Sequence, residues 1–469
     1  MSDEEIGYAS ATALAAAIRE KAVSPVEAVD AVLRRIERLN PVLNAYCTLT
    51  AEAARAAARR AEAAVLRGDA LGPLHGVPVS VKDTIWTAGV RTTMGSALYA
   101  DFVPGEDAPV VARLVAAGAI VLGKTTTPEF AHKGTTDSPL FGITRNPWSL
   151  GYTPGGSTGG GAAAVAAGLG PLAVGTDEGG SIRLPAAFCG VVGLKPTYGL
   201  VPRYPVGVAE LLTHLGPLAR TVADAALCLT VTAGRDDRDG WSLAAPPVDY
   251  LAGLERRPGA LRVAWSPRLG YAAVDPEVLR VTSAAVRALG TLGWHVEEAD
   301  PGFEDPAAIS DAFRYPALAV ALGDRLPEWR ARMDPSLVPL VEEGQRMSGP
   351  DVARALMRRH DLWLAVHAFF GRYDLLATPV VAVPPFPVDA PPPREIAGRP
   401  VSRRGWIPFT YPFNLTGQPA IALPCGVTAD GLPIGLQLVA RRLDDALLLR
   451  AAAAFEAAFP WADRRPPLG

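Results

Sequence analysis

The chain has 469 residues, 49% of them hydrophobic and 20% charged, with a net charge of −3. That balance excludes a disordered chain and supplies a core able to bury roughly 75% of the extended surface. It also leaves no basic field for nucleic acid or an anionic membrane surface.

Residues 1–68 read as helices. The stretches 12–21 and 25–38 carry apolar residues at 3–4 spacing, and Ser24-Pro25 followed by Glu27 marks a helix start. An Ala-rich helix at 51–67 is closed by Gly68. At 77–81 the period drops to two, which predicts a short strand ending at Lys82. A helix at 109–117 and a strand at 119–122 follow, then a helix of very small residues at 162–167, a strand at 171–176 and a helix at 221–233. Beyond these the pattern predicts a strand at 262–265, a helix at 276–292, a strand at 294–298 and a mostly helical 305–370. A strand at 373–383 enters a loop with eight prolines between Pro379 and Pro400, and a strand at 434–440 and a helix at 444–458 close the chain. Strands alternating with helices predict a layered α/β sheet. With no internal repeat or clean linker, 1–469 reads as one unit. In it the helices of 1–68 pack outside a catalytic core at 69–230, a variable pocket region spans 231–410, and 411–469 returns to the core sheet.

The acidic N-terminus and the lack of a ~20-residue apolar run predict a cytoplasmic protein without a membrane span. Four cysteines without a CxxC pair, and six histidines without HExxH spacing, indicate neither a zinc site nor a disulfide framework.

Lys and Arg together number 45, yet only Lys21, Lys82, Lys124, Lys133 and Lys195 are lysine. Lysine can lose its proton when buried and arginine cannot, so a set this small invites a chemical reading, although drift in a GC-rich genome would leave the same count.

Two common patterns fail on context. Gly118 to Thr125 fits the G-x-x-x-x-G-K-[ST] phosphate loop, but the strand lies inside the motif instead of before it. Gly155 to Gly159 fits the G-x-S-x-G elbow, but a turn-like Asn146–Pro154 stretch precedes it and no later histidine has a triad context. The informative segment is 153–202, where two clusters of glycine plus hydroxyl flank the small-residue helix and a strand. Gly179-Gly180-Ser181 offers a hydroxyl nucleophile and amide donors for an oxyanion; the same residues would also suit a tight turn. Lys82 would serve as a base if buried beside apolar walls, or would simply pair with Asp83 at a strand end.

LHGVPVSVKDTIWTAG, GKTTTPEF, TPGGSTGGGAAAVAAG, GTDEGGSIRLPAAFCGVVGLKPTYG, GPLARTVADAALCL, FNLTGQPAIALPCG and DGLPIGLQLVARRLDDALLLRAAAAFE together resemble the amidase signature family across roughly residues 10–460. The resemblance implies an α/β/α sandwich around a large mixed, mainly parallel β-sheet. It also implies a Ser–cis-Ser–Lys triad on Ser181, Ser157 and Lys82, spaced by 24 and 75 residues. The backbone N–H groups of Glu178, Gly179, Gly180 and Ser181 become the expected oxyanion hole, with Thr158, Asp177 and Arg183 in support. The implied reaction is hydrolysis of a small-molecule carboxylic amide through an acyl-enzyme, with no metal or organic cofactor, and a homodimer is a family-level expectation. Three positions depart from the family pattern: Thr158 and Gly161, and Glu178, whose carboxylate should point away from the pocket or pair with arginine. The rival implication is the glutaminase component of a tRNA-dependent amidotransferase. Such proteins carry an acidic residue shortly before the NL of FTYPFNLTG, where this chain has Ile407. Aromatic candidates for the pocket wall are Phe313, Tyr315, Trp363 and Trp406.

Overall fold

A computed structural model of the protein describes residues 1–207, 211–244 and 247–468. Eleven strands form the large sheet: β1 (Tyr46–Leu49), β2 (Pro78–Lys82), β3 (Ile120–Thr125), β4 (Leu172–Asp177), β5 (Val192–Lys195), β6 (His214–Ala219), β7 (Arg262–Trp265), β8 (His295–Glu298), β9 (Leu375–Pro379), β10 (Ala420–Val427) and β11 (Pro433–Ala440). Their order is β1-β3-β2-β4-β6-β5-β10-β11-β9-β7-β8. The sheet is mixed, as expected. Strands β3, β2 and β4 run parallel as one block and β9, β7 and β8 as another, with antiparallel pairs joining the two blocks and adding β1.

Both faces of this sheet are covered, and the strands show it residue by residue. Leu172 and Val174 enter one apolar cluster while Ala173 enters another, and Leu375 and Ala377 are likewise split from Leu376. Successive side chains point to opposite faces, so a strand apolar at every position needs a layer on each side. The N-terminal helices α1 (Asp3–Tyr8), α2 (Ala11–Arg19), α3 (Pro25–Leu43) and α4 (Ala51–Arg67) build a third cluster against Ile120 and Leu122 of β3. The start read at Ser24 is a capping box: Ser24 Oγ accepts from the Glu27 N–H at 3.0 Å, and the Glu27 carboxylate accepts from the Ser24 N–H at 2.8 Å.

Four sheet strands escape the sequence pattern, and each has a reason. Strand β6 contains Gly216 and Pro217, residues that argue against a central strand. It is tolerated because β5 pairs with β6 only at Leu218 and Ala219, so the ladder on that side has ended before Pro217. Strands β1 and β5 span four residues each, and neither YCTL nor VGLK alternates cleanly between apolar and polar. Strand β10 lies in an apolar run with no alternation, AIALPCGV.

Helix α5 (Pro109–Ala116) precedes β3, and α6 (Gly159–Ala166) follows the first glycine–hydroxyl cluster. α6 opens three residues before the expected Ala162 because Gly159, Gly160 and Gly161 are helical. They are glycine for space: a Cβ on Gly160 would lie 2.3 Å from Thr126 Oγ1 and 2.5 Å from the Ala45 carbonyl oxygen. Gly160→Ala should therefore lower stability by about 1–3 kcal/mol, read as a drop in the urea midpoint at unchanged slope.

Candidate active site

Strand β2 ends on Lys82, and the next strand in the sheet, β4, ends on Thr176 and Asp177. Lys82 is fully buried. Its Nζ donates to Ser157 Oγ at 2.7 Å and to Thr176 Oγ1 at 2.8 Å. Burial lowers the Lys82 pKa to about 7, partly opposed by the Asp177 and Glu178 carboxylates. The pairing with Asp83 that strand position allowed is not formed. Asp83 instead accepts from the Thr93 N–H and hydroxyl, and Lys124 Nζ binds the Ile85 carbonyl, Thr87 and Thr92. Lys124 thus sits on a strand, β3, and the phosphate-loop pattern around it is coincidental.

Ser157 follows a cis Gly156–Ser157 peptide bond and is fully buried. The two glycine–hydroxyl clusters meet here. The Thr158 N–H donates to the Ser181 carbonyl at 3.1 Å, and Thr158 Oγ1 donates to the Thr176 carbonyl at 3.2 Å. Thr158 also fills the space above Gly175, where a Cβ would lie 2.4 Å from its Cγ2.

The turn from β4 into helix α7 (Arg183–Cys189) is held from below by one buried ion pair. Asp177 and Arg183 both have fully buried side chains, with Arg183 Nη2 2.8 Å from Asp177 Oδ1 and Nε 3.0 Å from Oδ2. Asp177 also accepts from the Gly180 N–H at 2.8 Å and the Ile182 N–H at 3.1 Å. Burial alone would raise the Asp177 pKa, but the Arg183 charge and hydrogen bonds hold it far below the usual carboxylate range. Arg183 in turn donates to the Thr410 carbonyl, Gln437 Oε1 and Asn414 Oδ1, and Asn414 Nδ2 returns to Asp177. Thr410 Oγ1 fixes the Gly179 carbonyl at 2.6 Å. The Gly180 N–H is therefore already committed to Asp177. Among the described residues the N–H groups of Glu178, Gly179 and Ser181 have no acceptor, which leaves three open donors where four were expected.

Two cavities meet at Ser181, Glu178 and Ala131. The larger, about 720 Å³, is lined by Gly156, Gly179, Gly180, Arg314, Arg404 and Trp406 among others, and the proline-rich loop supplies a wall from Val388 to Arg394. The smaller, about 140 Å³, reaches Ser157 and Thr176. Glu178 is paired with arginine, as its position demanded: Arg314 Nε lies 3.2 Å from its Oε1. Because Glu178 raises the Lys82 pKa, Glu178→Gln should move the acid limb of a kcat/KM–pH profile to lower pH, with an upward move disproving the coupling.

Of the aromatic candidates, only Trp406 lines either cavity, packed on Phe188 and Phe386. Tyr315 is buried in a separate cluster with Leu318 and Val341, behind Arg403. Phe313 lies against Arg359, and Trp363 stacks between His360 and His367 along one face of their helix. Helical spacing without a cavity explains all three misses. Thr176, Thr410, Asn414 and Gln437 carry no chemical signal of their own in the sequence. Asn414 and Gln437 lie within the motifs FNLTGQ and GLQLVA, and that was their one signal.

Residues 27–449 match the family model described as Amidase. The chain is 42% identical to the acylamidase of Rhodococcus erythropolis, covering 99% of this chain and 98% of that protein. It is 40% identical to a glutamyl-tRNA(Gln) amidotransferase subunit of Moorella thermoacetica, over 99% of each. A solved bacterial aryl acylamidase of the amidase signature enzymes superposes with a TM-score of 0.91 at 31% identity, covering 98% of this chain and 99% of that one. The chain belongs to the amidase family.

Proposed function

We propose that this amidase hydrolyses the amide of a small carboxylic acid derivative with Ser181 as nucleophile, Ser157 as proton relay and Lys82 as base. The observation that carries the reading is a fully buried lysine with a pKa of about 7, 2.7 Å from a serine that shares a cavity with a second serine. Ser181 Oγ attacks the amide carbon while its proton passes to Ser157, and Ser157 gives its own proton to the Lys82 lone pair. The Glu178, Gly179 and Ser181 N–H groups take the negative charge that develops on oxygen, and Asp177 holds the turn through Gly180. Collapse breaks the C–N bond, with Ser157 protonating the departing nitrogen and Lys82 restoring its proton. Water then attacks the acyl-enzyme by the same relay in reverse.

A neutral Lys82 is needed for attack, so kcat/KM rises with pH through about 7 and then levels. The direct test is covalent. Incubation with an activated acyl donor followed by mass spectrometry of the digested protein should place the acyl group on the peptide containing Ser181. An adduct elsewhere, or none in the presence of turnover, overturns the assignment. The amidotransferase reading is supported by the 40% identity to the Moorella protein, but Ile407 lines the larger cavity where that reading calls for a carboxylate to bind the α-amino group of glutamine. A stand-alone amidase, cytoplasmic and acting on an amide other than glutamine, is the reading favoured here.

A further inference from the structure

The two cavities flanking Ser181 differ in which half of the proposed machinery they touch. Ser157 lines only the small one, whereas Gly179 and Gly180 line only the large one. The cis Gly156–Ser157 bond lies at the divide, with Gly156 on the large side. In the reaction proposed above, Ser157 must reach the amide nitrogen to protonate it, so the nitrogen substituent leaves toward the small cavity. The acyl chain, on the other side of the carbonyl carbon, is left the large one.

The small cavity is walled mainly by apolar side chains. Ile85, Trp86, Phe130, Tyr204, Val206 and Leu215 contribute its walls, and its polar groups include the reacting Ser157, Thr176 and Ser181. Of its charged neighbours, Glu178 is paired with Arg314, and Arg203 reaches the exposed Gly207. Its volume of about 140 Å³ is close to the ~150 Å³ in which an apolar cavity binds benzene. Its wall is also held in place: Met94, Phe130 and Ala131 all have left-handed backbone, with φ of 57°, 49° and 54°, and the Phe130 N–H donates to the Met94 carbonyl at 2.8 Å. Non-glycine residues in that region persist where surrounding structure over-determines them, and they cluster at ligand sites. Either amine leaves neutral once Ser157 has protonated its nitrogen, but a released alkylamine takes up a further proton near pH 7 and would lose the hydration of that charge among these walls, whereas an aryl amine stays neutral.

We infer that the small cavity is the leaving-amine site and takes an aryl amine, and that the acyl group lies in the large cavity. This assignment rests on Ser157 as the proton donor.

The test uses amides of one acyl group with ammonia, butylamine or aniline as the amine, and anilides of short and long acyl chains. Comparing ratios between variant and wild type cancels the intrinsic reactivity of each leaving group. Ala108→Phe, which fills the small cavity, should cut the anilide to primary-amide ratio of kcat/KM at least tenfold while shifting the long-to-short acyl ratio less than threefold. Phe130→Ala, which enlarges the cavity, should raise the ratio for a naphthylamide over an anilide. Ile407→Trp, in the large cavity, should move the acyl-length ratio and spare the amine ratio. Aniline should inhibit the wild type competitively and the Ala108→Phe variant at least tenfold more weakly. The opposite pattern, with Ala108→Phe changing acyl-length preference and Ile407→Trp changing amine preference, overturns the assignment, as does equal movement of both ratios in each variant. Activity that survives in Ser181→Ala would instead remove the catalytic reading beneath it.

Discussion

Lys82→Met should abolish turnover without loosening the protein. The side chain is fully buried, so the substitution exchanges an amine that burial already disfavours in its charged form for an apolar chain of similar length. The melting temperature should stay equal or rise, while kcat/KM falls on the order of 10²–10⁴-fold through loss of the base. Lys82→Arg should fail as completely, because a guanidinium cannot accept a proton near neutral pH and its planar head does not fit a site shaped by Ser157 and Thr176. Ser181→Ala should cost on the order of 10⁴–10⁶-fold, and the Lys82→Met/Ser181→Ala double variant should be little worse than Ser181→Ala alone, since the groups act as one unit. Steady-state kinetics beside thermal unfolding checks all of this. A Lys82→Met enzyme with more than a tenth of wild-type kcat/KM would show that the buried lysine is only structural.

Asp177→Ala should carry the largest stability loss in the molecule, about 3–5 kcal/mol, because it leaves Arg183 as an uncompensated charge in a fully buried position. It also strips acceptors from the Gly180 and Ile182 N–H groups at the head of α7. Activity should fall with it, since the Gly180 N–H is then free to turn and the three open donors lose their fixed frame. Urea unfolding measures the first effect and kcat the second. A loss below 1 kcal/mol would mean that Thr410, Gln437 and Asn414 satisfy Arg183 by themselves.

The scarcity of lysine narrows the search for a base to a few positions, and the family motifs pick one of them. Lys82, Lys124 and Lys195 are all fully buried, and Lys133 bridges Asp137 and Asp334. What composition alone leaves open is which of the three buried lysines faces a serine beside a cavity. Lys124 is spent on a carbonyl and two threonines beneath the 85–92 loop, and Lys195 on the carbonyls of Pro196 and Gln418. Lys82 alone of the three ends its strand against Ser157.

Local order is where the sequence speaks by itself. The capping box at Ser24 and the helix 51–67 closed by the left-handed Gly68 follow from interactions within a few residues. The glycine–hydroxyl clusters and Lys82 stand out too, but their local context equally suits a tight turn and an Asp83 pair, and it is the family resemblance that marks them. The cavity walls are a different matter. Residues 85, 130, 206 and 215 become neighbours, as do 134, 314, 390 and 406, only after the sheet brings its strands into a non-sequential order. Phe313, Tyr315 and Trp363 carry the same local signal as Trp406, yet a helix turns each of them elsewhere. The Gly180 N–H is likewise withdrawn from the open donors by a carboxylate three residues away, whose orientation Arg183 sets and Asn414 completes from 231 positions further on. Local propensity thus determines many of the elements and the family motifs mark the candidate groups, whereas long-range packing decides what surrounds them.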